Sequence, residues 1–468
     1  MAAIMPLPAF AGATNDAGAT NDAGAYDVSP KSFCQAMQGQ ISSLTDAGDS
    51  NWLIPALPKD WHLTEYEQNN RPRATIITAK MANAETARVE LQIVAMKGVL
   101  AGLRLIEAHS AQIDQTEQTD QTGQVFRPFR QYSLGADCAV RQTHHLSFAK
   151  NGVADLLTIT TPGTEPYEIA LNPAPEFNQR LRRAATAEKQ NIPIVGHIDS
   201  GIDYQRPDVQ RHLLADDNGR WLALDLWDDD DRPYDSDVSR SPFQPTPHGT
   251  YLIDIMMKYG MDFGFLPVRY PRPDMARMGD AIDWLAAHGA SIVIMPLGSN
   301  TPDDWHSFNA AAQRHPTILF IISAGNNGQD LDKNPIYPGV NDLTNALTVT
   351  SVNADASIAM GSNYSDSWVD VGVAAENINA NGVGNFPQTV SGSSFAVPKL
   401  VSFALCTALK NPNLAHQNGA QRAAGLIAAL VSDPGTAKTS RATAVNRGYG
   451  HFLSDAIITN TCRAVAAP

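Results

Sequence analysis

Two patterns of apolar and polar positions divide the chain. In the first, Arg88 to Ala95 (RVELQIVA) alternates residue by residue, which predicts a strand with one buried face, and Leu156 to Thr161 reads the same way. Pro30 to Thr45 predicts a helix, with Ser29 as its cap and Pro30 in its first position. Asp114 to Gly123 is polar and rich in Gln and Thr, which predicts a loop. From Ile192 onward the pattern changes to short unbroken apolar runs that stop abruptly. IVGHI runs into Asp199, IVIM into Pro296-Leu297-Gly298, and TILFIIS into Ala324-Gly325-Asn326. Helical patterns such as Met278 to His288 lie between them. Apolar strands alternating with helices predict a doubly wound α/β domain, a parallel sheet covered on both faces. Ligands and chemistry belong at the carboxyl ends of such strands.

This gives an expected organisation of three parts: a leader at 1–25, a smaller α+β domain at 26–188, and the α/β domain at 189–468. The leader contains a doubled AGATND unit, too small and polar to build a core. Its first residues, MAAIMPLPAFAGA, are mildly apolar, and Ala9-Phe10-Ala11 fits a cleavage pattern, although the basic start of an export signal is missing. With 468 residues, 43% hydrophobic and 18% charged, the chain is long enough for more than one core. A net charge of −14 argues against nucleic acid as a partner. No stretch approaches the ~20 apolar residues of a membrane helix.

Three segments carry candidate chemistry. Asp199-Ser200-Gly201, in the run DSGIDYQRPDV, follows a buried-looking strand; Gly201 permits a tight turn that leaves the carboxylate at the strand end. His197, two residues earlier, reads as a satisfied structural histidine. Pro247-His248-Gly249-Thr250 opens the apolar segment YLIDIMM, so His248 stands at a helix start, where an imidazole can take a proton from a serine. Ser391-Gly392-Ser393-Ser394-Phe395-Ala396-Val397-Pro398 leads into KLVSFALCTAL. Ser394 there falls at a helix N-terminus, where free N–H groups favour developing negative charge. Pro398 is tolerable only near the first turn of that helix.

The order Asp, His, Ser is the chain order of the subtilisin triad, and the three segments resemble those of the subtilases, the subtilisin-like serine proteases. The resemblance runs from about Ile192 to Cys462 and implies Asp199, His248 and Ser394 as catalytic residues. Ser323-Ala324-Gly325-Asn326 resembles the segment that supplies the family's oxyanion asparagine, which implies that role for Asn326. Loss of such a donor costs on the order of 100- to 1000-fold in turnover, a magnitude carried over from a subtilisin. Pro296-Leu297-Gly298 resembles the strand edge that pairs with the peptide substrate. Gly298 and Gly325 would leave room for the first substrate side chain, a large apolar or aromatic one. The chain departs from the family pattern at Leu252-Ile253-Asp254, where small residues are usual, at Pro296, and at Ala375-Glu376.

The function so implied is a serine endopeptidase acting on proteins or peptides, with no cofactor needed for the chemistry. The rivals are a binding protein on the same scaffold, and an esterase or acyl transferase using the same serine. Subtilases often carry structural calcium, and Asp216, Asp217, Asp225 and Asp228 to Asp231 supply hard oxygen ligands, though without an EF-hand pattern. A solvated acidic insertion is the competing account. The N-terminal domain would be a pro-region, cut near Arg182-Arg183, or a permanent accessory domain docked on the peptidase domain. Four cysteines, Cys34, Cys138, Cys406 and Cys462, allow three connectivities; Cys34–Cys138 with Cys406–Cys462 keeps the domains separate. Disulfides would fit a secreted or periplasmic protein, and free thiols a cytoplasmic one.

Overall fold

The computed structural model describes residues 29–44, 48–57, 61–71, 74–83, 87–96, 99–111, 125–149, 153–175, 192–238, 241–272, 274–415, 417–432 and 448–466. The leader, the Asp114–Gly123 segment and the Arg182-Arg183 pair lie outside them. The chain separates into two compact units, Met1–Ala170 and Leu171–Pro468.

Among the described residues, the first unit is an eight-stranded antiparallel meander with one long helix. Helix α1 (Pro30–Gln40) starts as its sequence predicts: the Ser29 hydroxyl accepts the Ser32 N–H, and Pro30 occupies the first turn, where its missing N–H costs nothing. Strands β1 (Trp61–Arg71), β2 (Ala74–Asn83), β3 (Ala87–Met96), β4 (Val99–Ala111), β5 (Val125–Gly135), β6 (Val140–Phe148), β7 (Ala154–Thr160) and β8 (Tyr167–Ala170) pair in sequence order. Alternate residues Ile77, Ala79 and Met81 of β2, with Val89, Leu91 and Ile93 of β3, face Phe33 and Met37 of α1. A disulfide joins Cys34 of α1 to Cys138 in the β5–β6 turn.

The second unit is the expected parallel sheet. Its strands are β9 (Ile194–Asp199), β10 (Leu224–Asp225), β11 (Gly264–Arg269), β12 (Ile292–Met295), β13 (Leu319–Ser323), β14 (Ala346–Val352), β15 (Val371–Ala374) and β18 (His451–Leu453), in the spatial order 10-11-9-12-13-14-15-18. All of these pairs are parallel. Short α2 is Pro207–Gln210. One sheet face, carrying Val195, Ile294, Ile321 and Val349, packs against α3 (Gly249–Met257), α6 (Ser393–Lys410), α8 (Gly419–Ser432) and α9 (Asp455–Ala466). The other, carrying Leu266, Val293, Phe320 and Ile322, packs against α4 (Met278–Ala287) and α5 (His306–Arg314). Burial on both faces is why these strands read as unbroken apolar runs.

Helix α6 is buried along nearly its whole length, from Ser393 through Thr407, as an apolar all-round sequence requires. It begins at Ser393, so Pro398 stands in the second turn rather than the first, a correction to its expected place. The proline therefore removes the helical hydrogen bond that the Ser394 carbonyl would accept. Short α7 (Pro412–Ala415) follows, and a second disulfide ties Cys406 of α6 to Cys462 of α9. Hairpin β16 (Ile378–Asn381) and β17 (Pro387–Val390) leads directly into α6.

The departure at Asp254 has a structural explanation. Its carboxylate is buried in α3; Oδ1 meets the Arg206 guanidinium at 2.8 Å, while Oδ2 meets the Lys258 ammonium at 3.1 Å and accepts the Asn381 N–H at 3.0 Å. Arg206, also buried, donates to the Asn381 carbonyl at 2.7 Å. The network fastens the β16–β17 hairpin to α3. Breaking a buried pair strands a charge, so Arg206→Ala is expected to lower stability by about 3 kcal/mol, read by chemical denaturation. Asp254→Leu alone should cost as much, and the double variant less than the sum.

Candidate active site

Asp199 ends β9 and is 1% exposed. The turn behind it requires glycine: Gly201 has φ +118°, and a Cβ there would collide with the Tyr234 carbonyl. The carboxylate accepts the Ser200 N–H at 2.7 Å and receives His248 Nδ1 at 2.8 and 2.9 Å on its two oxygens. Burial alone would raise its pKa, but the imidazole beside it holds it below the usual carboxylate range.

His248 caps the start of α3. The next residue has no room for a side chain, since a Cβ on Gly249 would run into the Gly201 carbonyl and lie 2.6 Å from His197 Cε1. The His-Gly pair is thus the packing condition that lets the helix start reach the acid turn. Burial depresses the His248 pKa, yet the carboxylates of Asp199, then Asp235 and Asp237, outweigh it and the net shift is upward.

Asp235 is the functional neighbour that the sequence did not disclose. It is 2% exposed and accepts the His248 N–H at 2.9 Å, the Thr250 N–H at 2.7 Å and the Ser200 hydroxyl at 2.6 Å. It satisfies the free donors at the start of α3 from a distant loop and bridges, through Ser200, to the acid. Its position in Tyr234-Asp235-Ser236-Asp237, thirteen residues before His248, matches no motif. Burial raises its pKa.

His197 differs from its expected state. It is wholly buried, but neither ring nitrogen has a hydrogen-bond partner. Desolvation pushes its pKa down to about 4, so it is neutral at ordinary pH.

Ser394 lies in the first turn of α6 and is 7% exposed. Gly392 before it has φ +125°, and a Cβ there would lie 2.9 Å from Asn326 Oδ1. That oxygen accepts the Ser393 N–H at 2.9 Å and lies 3.0 Å from the Ser393 hydroxyl, leaving Nδ2 as the donor end of the amide. Ser393 and Ser391 are structural, as expected: Ser393 Oγ also meets Ser323 Oγ at 2.8 Å, and Ser391 Oγ accepts the Asn377 N–H at 2.8 Å. The His248 ring stacks obliquely on Phe395, centroids 5.5 Å apart, which brings the imidazole beside the residue after Ser394. Asp199 and His248 are hydrogen-bonded; His248 and Ser394 are neighbours through Phe395.

Asn326 sits in a turn past the end of β13, and a second undisclosed residue braces it. Asn363, fully buried, donates to the Ala324 carbonyl at 2.8 Å and accepts the N–H groups of Asn327 and Gln329 at 2.9 and 3.0 Å. Pro296, Leu297 and Gly298 follow β12 on the adjacent strand; beyond them Ser299 pairs with Tyr337 by two backbone bonds of 2.9 and 2.8 Å. Ala375 accepts the Gly392 N–H at 3.2 Å, so the Ala-Glu departure still supports the nucleophile turn.

The acidic loop is largely occupied by arginines and backbone donors. Asp225 and Asp228 pair with buried Arg269 at 3.2 and 2.7 Å, Asp229 with Arg277, Asp230 with Arg232, and Asp231 with Arg220. Asp216 accepts the N–H groups of Asn218 and Arg220. Among the described residues no group of three metal-ligating side chains comes together. The loop therefore does not fit a calcium site.

Residues 266–451 match the model of the subtilase family, which is described as Peptidase_S8. Subtilisin-like protease 1 of Plasmodium vivax is 26% identical over 275 residues, covering 49% of this chain and 42% of that one. The thermophilic serine proteinase of Bacillus sp. (strain AK1) is 26% identical over 232 residues, covering 46% and 52%. The chain thus spans about half or less of the length of these curated relatives. A cold adapted subtilisin-like serine proteinase of known structure aligns at 18% identity with a TM-score of 0.43, over 56% of this chain and 89% of that one. Over the segment from Leu266 to His451, about two fifths of its length, the chain is similar to the subtilase family.

Proposed function

We propose that this chain is a serine endopeptidase that cuts peptide bonds through an Asp199–His248–Ser394 triad and an acyl-enzyme. The observation that carries the reading is the sheltered Asp199–His248 hydrogen bond at the end of β9, beside a helix whose first turn holds Ser394. In this reading Ser394 Oγ attacks the scissile carbonyl and its proton passes to His248 Nε2. Asp199 holds the Nδ1–H and stabilises the imidazolium. Asn326 Nδ2 and the Ser394 N–H stabilise the oxyanion. The imidazolium then protonates the leaving amine, and water, activated by the same imidazole, releases the acyl group. No cofactor enters any of these steps.

Pro296, Leu297 and Gly298 form the edge for an extended substrate, bound by strand addition. Pro296 removes one donor from that edge. Residues 26–188 are a pro-region or an accessory domain. The two disulfides favour an oxidising, extracytoplasmic location. Among the described residues no helix is long and apolar enough to cross a membrane.

A fluorophosphonate tests the nucleophile. Wild type is expected to gain one adduct by intact mass, and Ser394→Ala none. Shortening of the wild type near Arg183 would mark residues 26–188 as a pro-region. Absence of labelling in folded protein would favour the binding-scaffold reading.

The pH profile tests the base. His248 must be neutral to accept the proton, and its pKa is raised above 6.5. The rise of kcat/KM with pH is therefore expected to have its midpoint above 6.5, and Asp235→Asn should lower that midpoint by removing one carboxylate. The stability contribution has the opposite sign. A raised folded-state pKa stabilises the fold below the unfolded value, and this contribution is lost as pH rises through the folded one.

A further inference from the structure

We propose that Lys399 and Asp455 are positioning residues: through this pair helix α9 fastens the helix that follows His248 to the helix that carries Ser394, and so holds Ser394 in place for attack. The inference rests on the endopeptidase reading above and adds the parts of the chain that keep its serine in position.

A lysine is almost never fully buried unless it is paired. Lys399 lies in the second turn of α6, a little over one turn past Ser394, and its side chain is 2% exposed. Its ammonium donates to the Ala374 carbonyl at the end of β15 and pairs with Asp455 Oδ1 at 2.5 Å. Burial pulls its pKa below the usual lysine value, and Asp455 opposes that shift. The next carbonyl along the chain, that of Ala375, accepts the Gly392 N–H at 3.2 Å. Two successive carbonyls at one strand end thus hold α6 on either side of Ser394, at Gly392 before it and at Lys399 after it. The second anchor acts where the helix is weakest, since Pro398 leaves the Ser394 carbonyl without its helical donor.

Asp455 serves a second helix. It is the first residue of α9, and the same Oδ1 accepts the Tyr259 hydroxyl at 3.0 Å, just past the end of α3. One carboxylate oxygen therefore joins the far end of the helix that His248 opens to the helix of Ser394. Two turns further along, the disulfide ties Cys406 of α6 to Cys462 of α9, so the two fasteners are in register on parallel helices. Between them Ile457 and Ile458 of α9 are buried. The Asp455 side chain is itself 64% exposed, so it stays hydrated while it neutralises a buried ammonium. A buried ion pair that served stability alone could be replaced by apolar side chains at little loss. A pair that positions a serine could not.

The test compares full-length wild type with Lys399→Met/Asp455→Leu and with Asp455→Ala. The readouts are the rate of fluorophosphonate labelling, kcat and KM on a peptide substrate, and chemical denaturation. The double variant is expected to be about as stable as wild type. It should nevertheless label and turn over roughly ten- to a hundredfold more slowly, with KM within about twofold, because the anchor on Ala374 is lost. Asp455→Ala leaves Lys399 its bond to Ala374 without a counter-charge; a smaller loss of the same kind is expected, and this variant decides the matter if the double variant does not fold. Wild-type rates of labelling and turnover in the folded variant overturn the inference and leave the endopeptidase reading intact. So does a loss that appears in KM and not in kcat or labelling. Wild type that is folded but neither labelled nor active overturns both.

Discussion

The close approach of two backbones, at Gly201 and Gly249, governs the rest of the second unit. A carboxylate at a strand end and an imidazole at a helix start can share hydrogen bonds of 2.8 and 2.9 Å only if the strand turn and the helix meet with no side chain between them. Gly249 meets that condition, since a Cβ there would strike the Gly201 carbonyl, while the lack of a side chain on Gly201 lets the turn itself pass against the Tyr234 carbonyl. Contact at this distance brings donors and acceptors out of water, and each must then find a partner inside. Asp235 supplies it, taking two N–H groups from the helix start and the hydroxyl of Ser200. The helix is thus seated by a carboxylate from a loop, not by its own cap residue.

The turn before Ser394 repeats the same arrangement on a different strand. Gly392 admits Asn326 against the start of α6, and Asn326 then holds Ser393 by its amide oxygen. The two halves are joined by the β16–β17 hairpin, which is fastened to α3 by Arg206 and Asp254 and runs into Ser391 and Gly392. Ion pairs buried this deeply contribute little net stability compared with apolar packing. Their value here is directional, because Arg206 and Asp254 hold the carbonyl and the N–H of Asn381 and so fix where the hairpin leaves α3.

The sheet, the residues at its strand ends and the glycines between them were legible in the sequence because each is a local requirement. An apolar run of four to six residues, a turn that forces positive φ and a helix that starts after His or Gly all leave a short, contiguous record. Asp235 and Asn363 were not legible. Each acts on a segment far along the chain, thirteen residues from His248 and thirty-nine from Ala324, and nothing local distinguishes either from an ordinary loop residue. The pairing of the acidic loop was not legible for a related reason. Its carboxylates lie together in sequence, but their partners Arg269 and Arg277 come from β11 and from just before α4. His197 reads as satisfied because buried polar groups nearly always are, and only its surroundings show that it is not.

His197 also shows how the site tolerates a polar group without a partner. A neutral imidazole costs far less to bury than a charged one, and desolvation keeps it neutral. Its ring lies against Phe265 on one side, centroids 5.2 Å apart, and its Cε1 approaches the position where Gly249 lacks a side chain. It therefore fills, as an aromatic spacer, the gap behind the glycine contact that the acid–base pair requires. At His197 the contact with the site is packing and not a hydrogen bond. An absent side chain at Gly249 and a flat ring at His197 are complementary halves of one contact.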